Sequence, residues 1–134
     1  MRSLVCERGL SEYYEIASSA TSTEEIGNPV YPPAVRELAL HGISAKGKYA
    51  VQLTRADGAY YDMLIGMDSA NIRNMHRMLG HEAEGKIYKM MSFVGSDEDV
   101  ADPWYMGGFD KTYSDCYRAS VALLDKLEEM RRGK

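Results

Sequence analysis

The sequence predicts an α/β fold, a three-layer sandwich in which helices cover both faces of a parallel sheet. Segments typical of helices and strands alternate along the chain, in the order helix, strand, helix, strand, helix, strand and helix. Parallel strands need long crossover connections, and helices usually supply them. The length of 134 residues, with 45% hydrophobic and 27% charged content, is typical of one globular domain spanning residues 1–134.

Composition excludes several classes of protein. The net charge is −4 and no basic run extends beyond Arg131-Arg132, so we expect no nucleic-acid partner. No stretch approaches the roughly 18 apolar residues of a spanning helix, and the first nine residues are too charged for a signal peptide, so we expect no membrane partner. Two cysteines, Cys6 and Cys116, are too few for a disulfide framework, which favours a cytoplasmic location.

The first half of the chain contains three predicted helices and one predicted strand. The first ten residues are predicted to form a helix, because Met1, Leu4, Val5 and Arg8 recur at helical spacing and Gly9 is suited to end it. The aromatic and β-branched content of Tyr13–Ser18 is typical of a strand. Two adjacent prolines introduce a helix over Ala34–His41, and Thr54–Asp57 resembles a capping box that opens a short helix.

The second half repeats strand and helix. Tyr61–Met67 is a mostly apolar strand, and Asp68 is suited to cap a helix that ends at Gly80. Lys86–Met90 is a shorter strand, and Asp110 is expected to cap the final helix. One stripe of that final helix is expected to be buried: Tyr113, Cys116, Tyr117, Ser120, Leu124 and Leu127.

The segment beginning at Asp102 is the most distinctive candidate for chemistry. Pro103 holds the Asp102 backbone extended, and the next residues are Trp104 and Tyr105. These aromatic side chains would raise the pKa of Asp102, which suits a general acid, or they could stack on a flat substrate. From these residues alone, an Asp-Pro turn with aromatic anchors is the preferred interpretation. No sequence motif for a metal or a nucleotide cofactor is present, so we expect neither metal nor cofactor.

A series of short motifs in one order changes that preference. Together they resemble the low-molecular-weight protein tyrosine phosphatase family over essentially the whole chain. The motifs are Ser18–Thr21, Gly27–Pro29, His41–Ile43, Gln52–Thr54, Tyr61–Asp62, Met67–Asn71 and Asp102–Tyr105.

The resemblance implies a fold, a reaction and a set of roles. It implies four parallel strands flanked by helices, and hydrolysis of phosphotyrosyl proteins or small phosphate esters through a phosphocysteine intermediate, without a cofactor. By the same resemblance, Asp102 protonates the leaving phenolate, and Trp104 and Tyr105 wall the substrate cleft. Ser18 matches a serine that supports the phosphate-binding loop, whereas closing a strand end is its alternative role.

The chain departs from the family at the nucleophile. The family cysteine begins a C-x5-R loop, but the sixth residue after Cys6 is Glu12 and the sixth after Cys116 is Ala122. Residues 1–10 resemble the later part of the family's first helix. The resemblance therefore implies that the phosphate loop and the first strand, which is central in the family sheet, are missing from this truncated sequence.

Three functional hypotheses remain open. The first is a phosphatase-family domain that is inactive for want of its nucleophile, with a sheet that is rearranged or completed in a homo-oligomer. The second is a non-enzymatic oligomerising or binding module. The third, arsenate reduction, is less favoured because no cysteine lies between Asp68 and Asp115 to resolve an intermediate.

Overall fold

The computed structural model describes residues 1–21, 26–100 and 109–133 as five α-helices and a two-stranded sheet. Short 3-10 helices cover His81–Ala83 and Met90–Val94. The regular elements in chain order are α1 (Arg2–Glu7), α2 (Pro32–Leu40), α3 (Arg55–Tyr60), β1 (Leu64–Gly66), α4 (Ser69–Met78), β2 (Ile87–Lys89) and α5 (Phe109–Arg132).

The two strands are parallel, and α4 forms the crossover between them. Leu64 is paired with Ile87, and Gly66 is paired with Lys89. The N–H of Leu64 donates to the carbonyl of Lys86 at 2.9 Å, which sets this register. The parallel α/β architecture predicted from the sequence is therefore confirmed, with strands shorter than the predicted segments.

The predicted strand over Tyr13–Ser18 is wrong. The structure shows no strand there, and the carbonyl of Ile16 instead accepts a hydrogen bond from Nε of Arg2 at 2.6 Å. The nearest ladder contact is a single parallel bridge between Ala20 and Gln52. Aromatic and β-branched residues favour extended backbone, but a strand also needs a neighbour with which to pair.

Two predicted helix starts are confirmed in detail. Oγ1 of Thr54 accepts from the N–H of Asp57 at 3.3 Å, and the N–H of Thr54 donates to Oδ2 of Asp57 at 2.9 Å. Asp68 and Asn71 form the same reciprocal pair at the start of α4. Each box satisfies two backbone N–H groups that the first helical turn leaves without partners.

The start of the last helix differs from the prediction. Helix α5 already includes Phe109, so Asp110 lies in its first turn and is not the cap. Ser120 and Leu124 are buried as predicted, whereas Tyr117 is 51% exposed. Buried Asp115, which the predicted stripe omits, is stabilised by Lys111 at 2.8 Å and by a further ion pair on α5.

The end of α5 is joined to the segment after α1 through a second buried acid. The carboxylate of Glu128 accepts from the hydroxyl of Tyr14 at 2.6 Å and from two nitrogens of Arg131 at 2.6 and 2.7 Å. The guanidinium of Arg131 lies 3.9 Å from the ring centroid of Tyr13. These contacts hold the pKa of Glu128 at about 2, with Arg131 contributing most and Tyr14 next.

Buried apolar residues form three separate clusters in the described part of the chain. The α4 cluster contains Leu64, Met75, Leu79 and Ala83. The α5 cluster contains Met90, Met91, Val100 and Ala119. The α1 cluster contains Leu4, Val5 and Leu124. Strand β1 divides the first two, because Leu64 belongs to the α4 cluster and Ile65 packs against the α5 cluster.

Candidate functional site

The carboxyl ends of β1 and β2 lie at the same edge of the sheet, because the strands are parallel and Gly66 is paired with Lys89. Ligands of open α/β sheets usually bind at this edge. Close packing there depends on Gly66, since a Cβ on it would lie 2.8 Å from the side chains of both Ile72 and Met75. Helix α4 therefore sits directly against the end of β1.

A charged cluster of three side chains, Ser69, Lys89 and Asp99, occupies this edge. Nζ of Lys89 lies 2.7 Å from Oδ1 of Asp99 and 3.0 Å from the hydroxyl oxygen of Ser69. Oδ1 of Asp99 also accepts from the backbone N–H of Ser69 at 3.0 Å and from its hydroxyl at 3.1 Å. The hydrogen bond from Lys89, followed by those from Ser69, lowers the pKa of Asp99 below its ordinary value against an opposing effect of burial.

The backbone next to Asp99 is anchored to the same edge. The N–H of Val100 donates to the carbonyl of Met67 at 2.9 Å, and the Val100 side chain is buried in the α5 cluster. The chain is thus held against the end of β1 two residues before Asp102. Asp102, Trp104 and Tyr105, which the sequence identifies as candidate site residues, lie outside the described residues.

The segment that contains Ser18 reaches the start of α4 from another direction. The amide nitrogens of Asn71 and Asn74 lie 3.4 and 3.5 Å from Oγ1 of Thr21. Ser18 itself is exposed, and its hydroxyl forms no hydrogen bond with the described residues. Helix α4 therefore contacts both Thr21 and the segment that leads to Asp102.

The two cysteines lie in different environments. Cys6 is exposed on α1, and Cys116 is half-buried on α5. Burial raises the pKa of Cys116, and the charge of Asp115 raises it further against a smaller effect of the terminal ammonium. Nucleophilic cysteines in enzymes have lowered pKa values, so Cys116 has the opposite property.

The described residues contain neither a group of metal ligands nor a membrane-spanning helix. Over residues 1–21, 26–100 and 109–133, no three His, Cys, Asp or Glu side chains lie close enough together to hold a metal ion. None of the described helices combines the length and the apolar character that crossing a membrane requires.

The sequence analysis did not identify Ser69, Lys89 and Asp99 as neighbours. Thirty positions separate Ser69 from Asp99, so no local pattern connects them. One available signal is that Lys89 ends β2 and Ser69 follows β1 closely. Residues after the strands of a parallel sheet converge at one edge, and this rule would have placed those two side chains together.

Known proteins of one family match this chain over nearly its whole length. A family model described as low molecular weight phosphotyrosine protein phosphatase matches residues 1–132. The rat protein of that description is 32% identical over 130 residues, which are 93% of this chain and 82% of the rat protein. YfkJ from Bacillus subtilis, described as a low molecular weight protein-tyrosine-phosphatase, is 30% identical over 112 residues, which are 82% of this chain and 72% of that protein.

Solved structures give the same result for the fold. The crystal structure of Bacillus subtilis YfkJ superposes with a TM-score of 0.82 at 29% identity, covering 99% of this chain and 83% of that chain. A protein tyrosine phosphatase from Entamoeba histolytica, crystallised with Hepes in its active site, has a TM-score of 0.87 at 22% identity. That match covers 97% of this chain and 85% of the Entamoeba chain.

Proposed function

Because the chain belongs to the low molecular weight phosphotyrosine protein phosphatase family, we propose that its site recognises phosphotyrosyl proteins or small phosphate esters. The observation that carries this proposal is the anchoring of Asp99 and Val100 at the carboxyl end of β1, two residues before Asp102. A general acid has to be held at a defined distance from its substrate. The anchoring of the chain two residues earlier supports this proposed role of Asp102.

We further propose roles for the residues that match the family motifs. In the complete reaction a cysteine thiolate attacks phosphorus, the bond to the phenolic oxygen breaks, and Asp102 gives its proton to the departing phenolate. Trp104 and Tyr105 flank the aromatic ring of the substrate, and Ser18 supports the phosphate-binding loop through its hydroxyl. Ser18 is exposed, so its hydroxyl is accessible for that role.

The polypeptide of 134 residues is proposed to be inactive by itself. Its sequence contains no C-x5-R, and the raised pKa of Cys116 opposes formation of a thiolate. General acid catalysis alone contributes roughly 10²–10⁴-fold, which is far below what hydrolysis of a phosphate monoester requires. The free state of both cysteines supports a cytoplasmic location for the protein.

Turnover of p-nitrophenyl phosphate by the 134-residue chain tests this proposal. We expect no turnover above the buffer rate for the wild-type chain, for Asp102→Ala and for Cys116→Ser. If the wild-type chain hydrolysed p-nitrophenyl phosphate and Asp102→Ala did not, the proposal that the chain is inactive would be refuted. As a second readout, the DNA upstream of the Met1 codon can be read for an in-frame C-x5-R followed by Ser or Thr, which would provide the nucleophile.

The second candidate function, a homo-oligomerising module, is favoured by the open edge of β1. In the observed register Leu64 and Gly66 direct their backbone groups toward β2, so the N–H and carbonyl of Ile65 point to the opposite side. None of the described residues is hydrogen-bonded to those two groups. An open strand edge is a template for pairing with another chain, and we propose that a second copy provides it.

Sedimentation velocity distinguishes a monomer from an oligomer. If a second copy covers the edge of β1, the sedimentation coefficient will increase with protein concentration and reach the value of a dimer or larger oligomer. A single monomeric species at all concentrations would contradict the oligomerisation proposal, while the phosphatase-family roles would be unaffected by that result.

A further inference from the structure

A cavity of about 550 Å³ lies between α2 and the backbone segments on either side of it in the sequence. Pockets of this volume hold small organic ligands in many proteins. Its lining comes from residues 29–30, from one face of α2 and from residues 42–49, so it shares no residue with the carboxyl-edge site.

Backbone hydrogen bonds build the walls of this cavity. Pro29 and Tyr49 form an antiparallel bridge, and the N–H of Ala50 donates to the carbonyl of Asn28 at 2.9 Å. On the other side, Gly42 adopts a φ of +73°, which lets the chain turn back after α2 and lets the N–H of Ile43 donate within that turn. The cavity is therefore shaped by the fold itself.

The floor of the cavity is apolar surface that the fold leaves accessible. Val35 and Ala39 are four residues apart, which places them on one face of α2, and Ile43 continues that surface. No residue of α2 is fully buried, and Val35 remains 38% exposed although it faces the cavity. Covering such a surface with an apolar group is favourable, since it removes both from water.

The charged residues that line the cavity are all basic. Lys46 and Lys48 line the cavity, and no acidic residue does. Neither ammonium forms an ion pair with the described residues, and Lys48 is half-buried. Glu37, the acid of α2, is hydrogen-bonded to Nε2 of His41 at 3.0 Å. An anionic group on a ligand would therefore find an ammonium that no acid of the described residues already pairs with.

We propose that this cavity binds a small carboxylate with an aliphatic body, such as a medium-chain fatty acid. The aliphatic chain lies along Val35, Ala39 and Ile43, and the carboxylate lies next to Lys48. The proposal is independent of the phosphatase chemistry, because the cavity contains none of the residues assigned to that reaction.

NMR titration of the isotope-labelled chain with sodium octanoate tests the proposal, with 1-octanol as the uncharged probe of similar shape. We expect saturable shifts of the amides of Val35, Ala39 and Ile43 below the critical micelle concentration. Octanol should bind at least about fivefold more weakly, since it lacks the charge that pairs with the ammonium.

Two variants and a matched control complete the experiment. Ala39→Trp fills the cavity from an exposed helix position and should abolish the octanoate shifts, and Lys48→Gln should reduce octanoate affinity to that of octanol. Lys126→Gln removes an exposed charge of α5 and should change nothing. The proposal is overturned if the lining amides show no saturable shift, if octanol binds as tightly as octanoate, or if Ala39→Trp binds normally.

Discussion

Nζ of Lys89 lies 2.7 Å from Oδ1 of Asp99, and this ion pair joins the last residue of β2 to the segment that leads to Asp102. Lys89 is mostly buried, with 18% of its side chain exposed, whereas half of the Asp99 side chain is exposed. Ser69 binds the same carboxylate oxygen through two donors. One aspartate thus connects both strand ends at the edge where the candidate site lies.

Asp99→Asn is expected to destabilise the chain modestly. The substitution removes the charge that pairs with Lys89, and exposed ion pairs contribute about 0.2–1 kcal/mol to the free energy of unfolding. Urea unfolding should show a loss within that range. Glu98→Gln is the matched control, because Glu98 is its exposed neighbour with no ion pair among the described residues, and an equal loss in the control would contradict the role of Asp99.

The stability contributed by Glu128 should depend on pH. Its folded-state pKa of about 2 lies below its ordinary value of 4.5, so the carboxylate favours the folded state above about pH 4.5. That contribution is lost as the pH falls from 4.5 toward 2. The difference in free energy of unfolding between the wild-type chain and Glu128→Gln should therefore be largest near neutral pH and decrease in acid.

A control variant separates this effect from general acid unfolding. Glu129→Gln changes an exposed carboxylate next to Glu128 and should follow the wild-type chain at every pH. A difference for Glu128→Gln that does not change between about pH 6 and about pH 2.5 would show that the contacts with Arg131 and Tyr14 do not depend on the charge of Glu128.

Gly66→Ala should destabilise the chain by about 1–3 kcal/mol, the usual effect of overfilling a packed interior. The new methyl group would lie 2.8 Å from the side chains of Ile72 and Met75. Gly58→Ala is the matched control, since a Cβ there meets its neighbours at 3.4–3.5 Å. Alanine is preferred to glycine in a helix such as α3. The midpoint temperature of thermal unfolding of Gly58→Ala should therefore equal that of the wild-type chain or lie slightly above it.

The amide of Ile65 should report on assembly through hydrogen exchange. If a second copy pairs with the free edge of β1, this amide will be protected at high protein concentration and will exchange faster on dilution. The amides of Leu64 and Gly66 face β2 and serve as internal controls. Their exchange rates should not depend on protein concentration. Rapid exchange of Ile65 at every concentration would argue against pairing at this edge.

Local side-chain chemistry explains which parts of the fold the sequence predicted well. Thr54 and Asp68 each bind a backbone N–H three residues later, so both caps can be recognised within four positions of sequence. The parallel sheet follows from the alternation of apolar strands and helices, and the family relationship follows from an ordered series of motifs.

The failures concern contacts between distant residues. Tyr13–Ser18 has the composition of a strand, but its pairing depends on residues far away, and in the structure Ile16 binds Arg2. The burial of Glu128 was not expected because its carboxylate binds Tyr14, a residue 114 positions away in the sequence. The assigned roles of Asp102, Trp104, Tyr105 and Ser18 remain predictions.

Helix α5 contributes Ala119 to the α5 cluster and Leu124 to the α1 cluster, only five positions apart. A kink or a cut between them would detach two parts of the interior at once. We therefore expect these two clusters to unfold together, and a protease should reach this stretch of α5 only when both have opened.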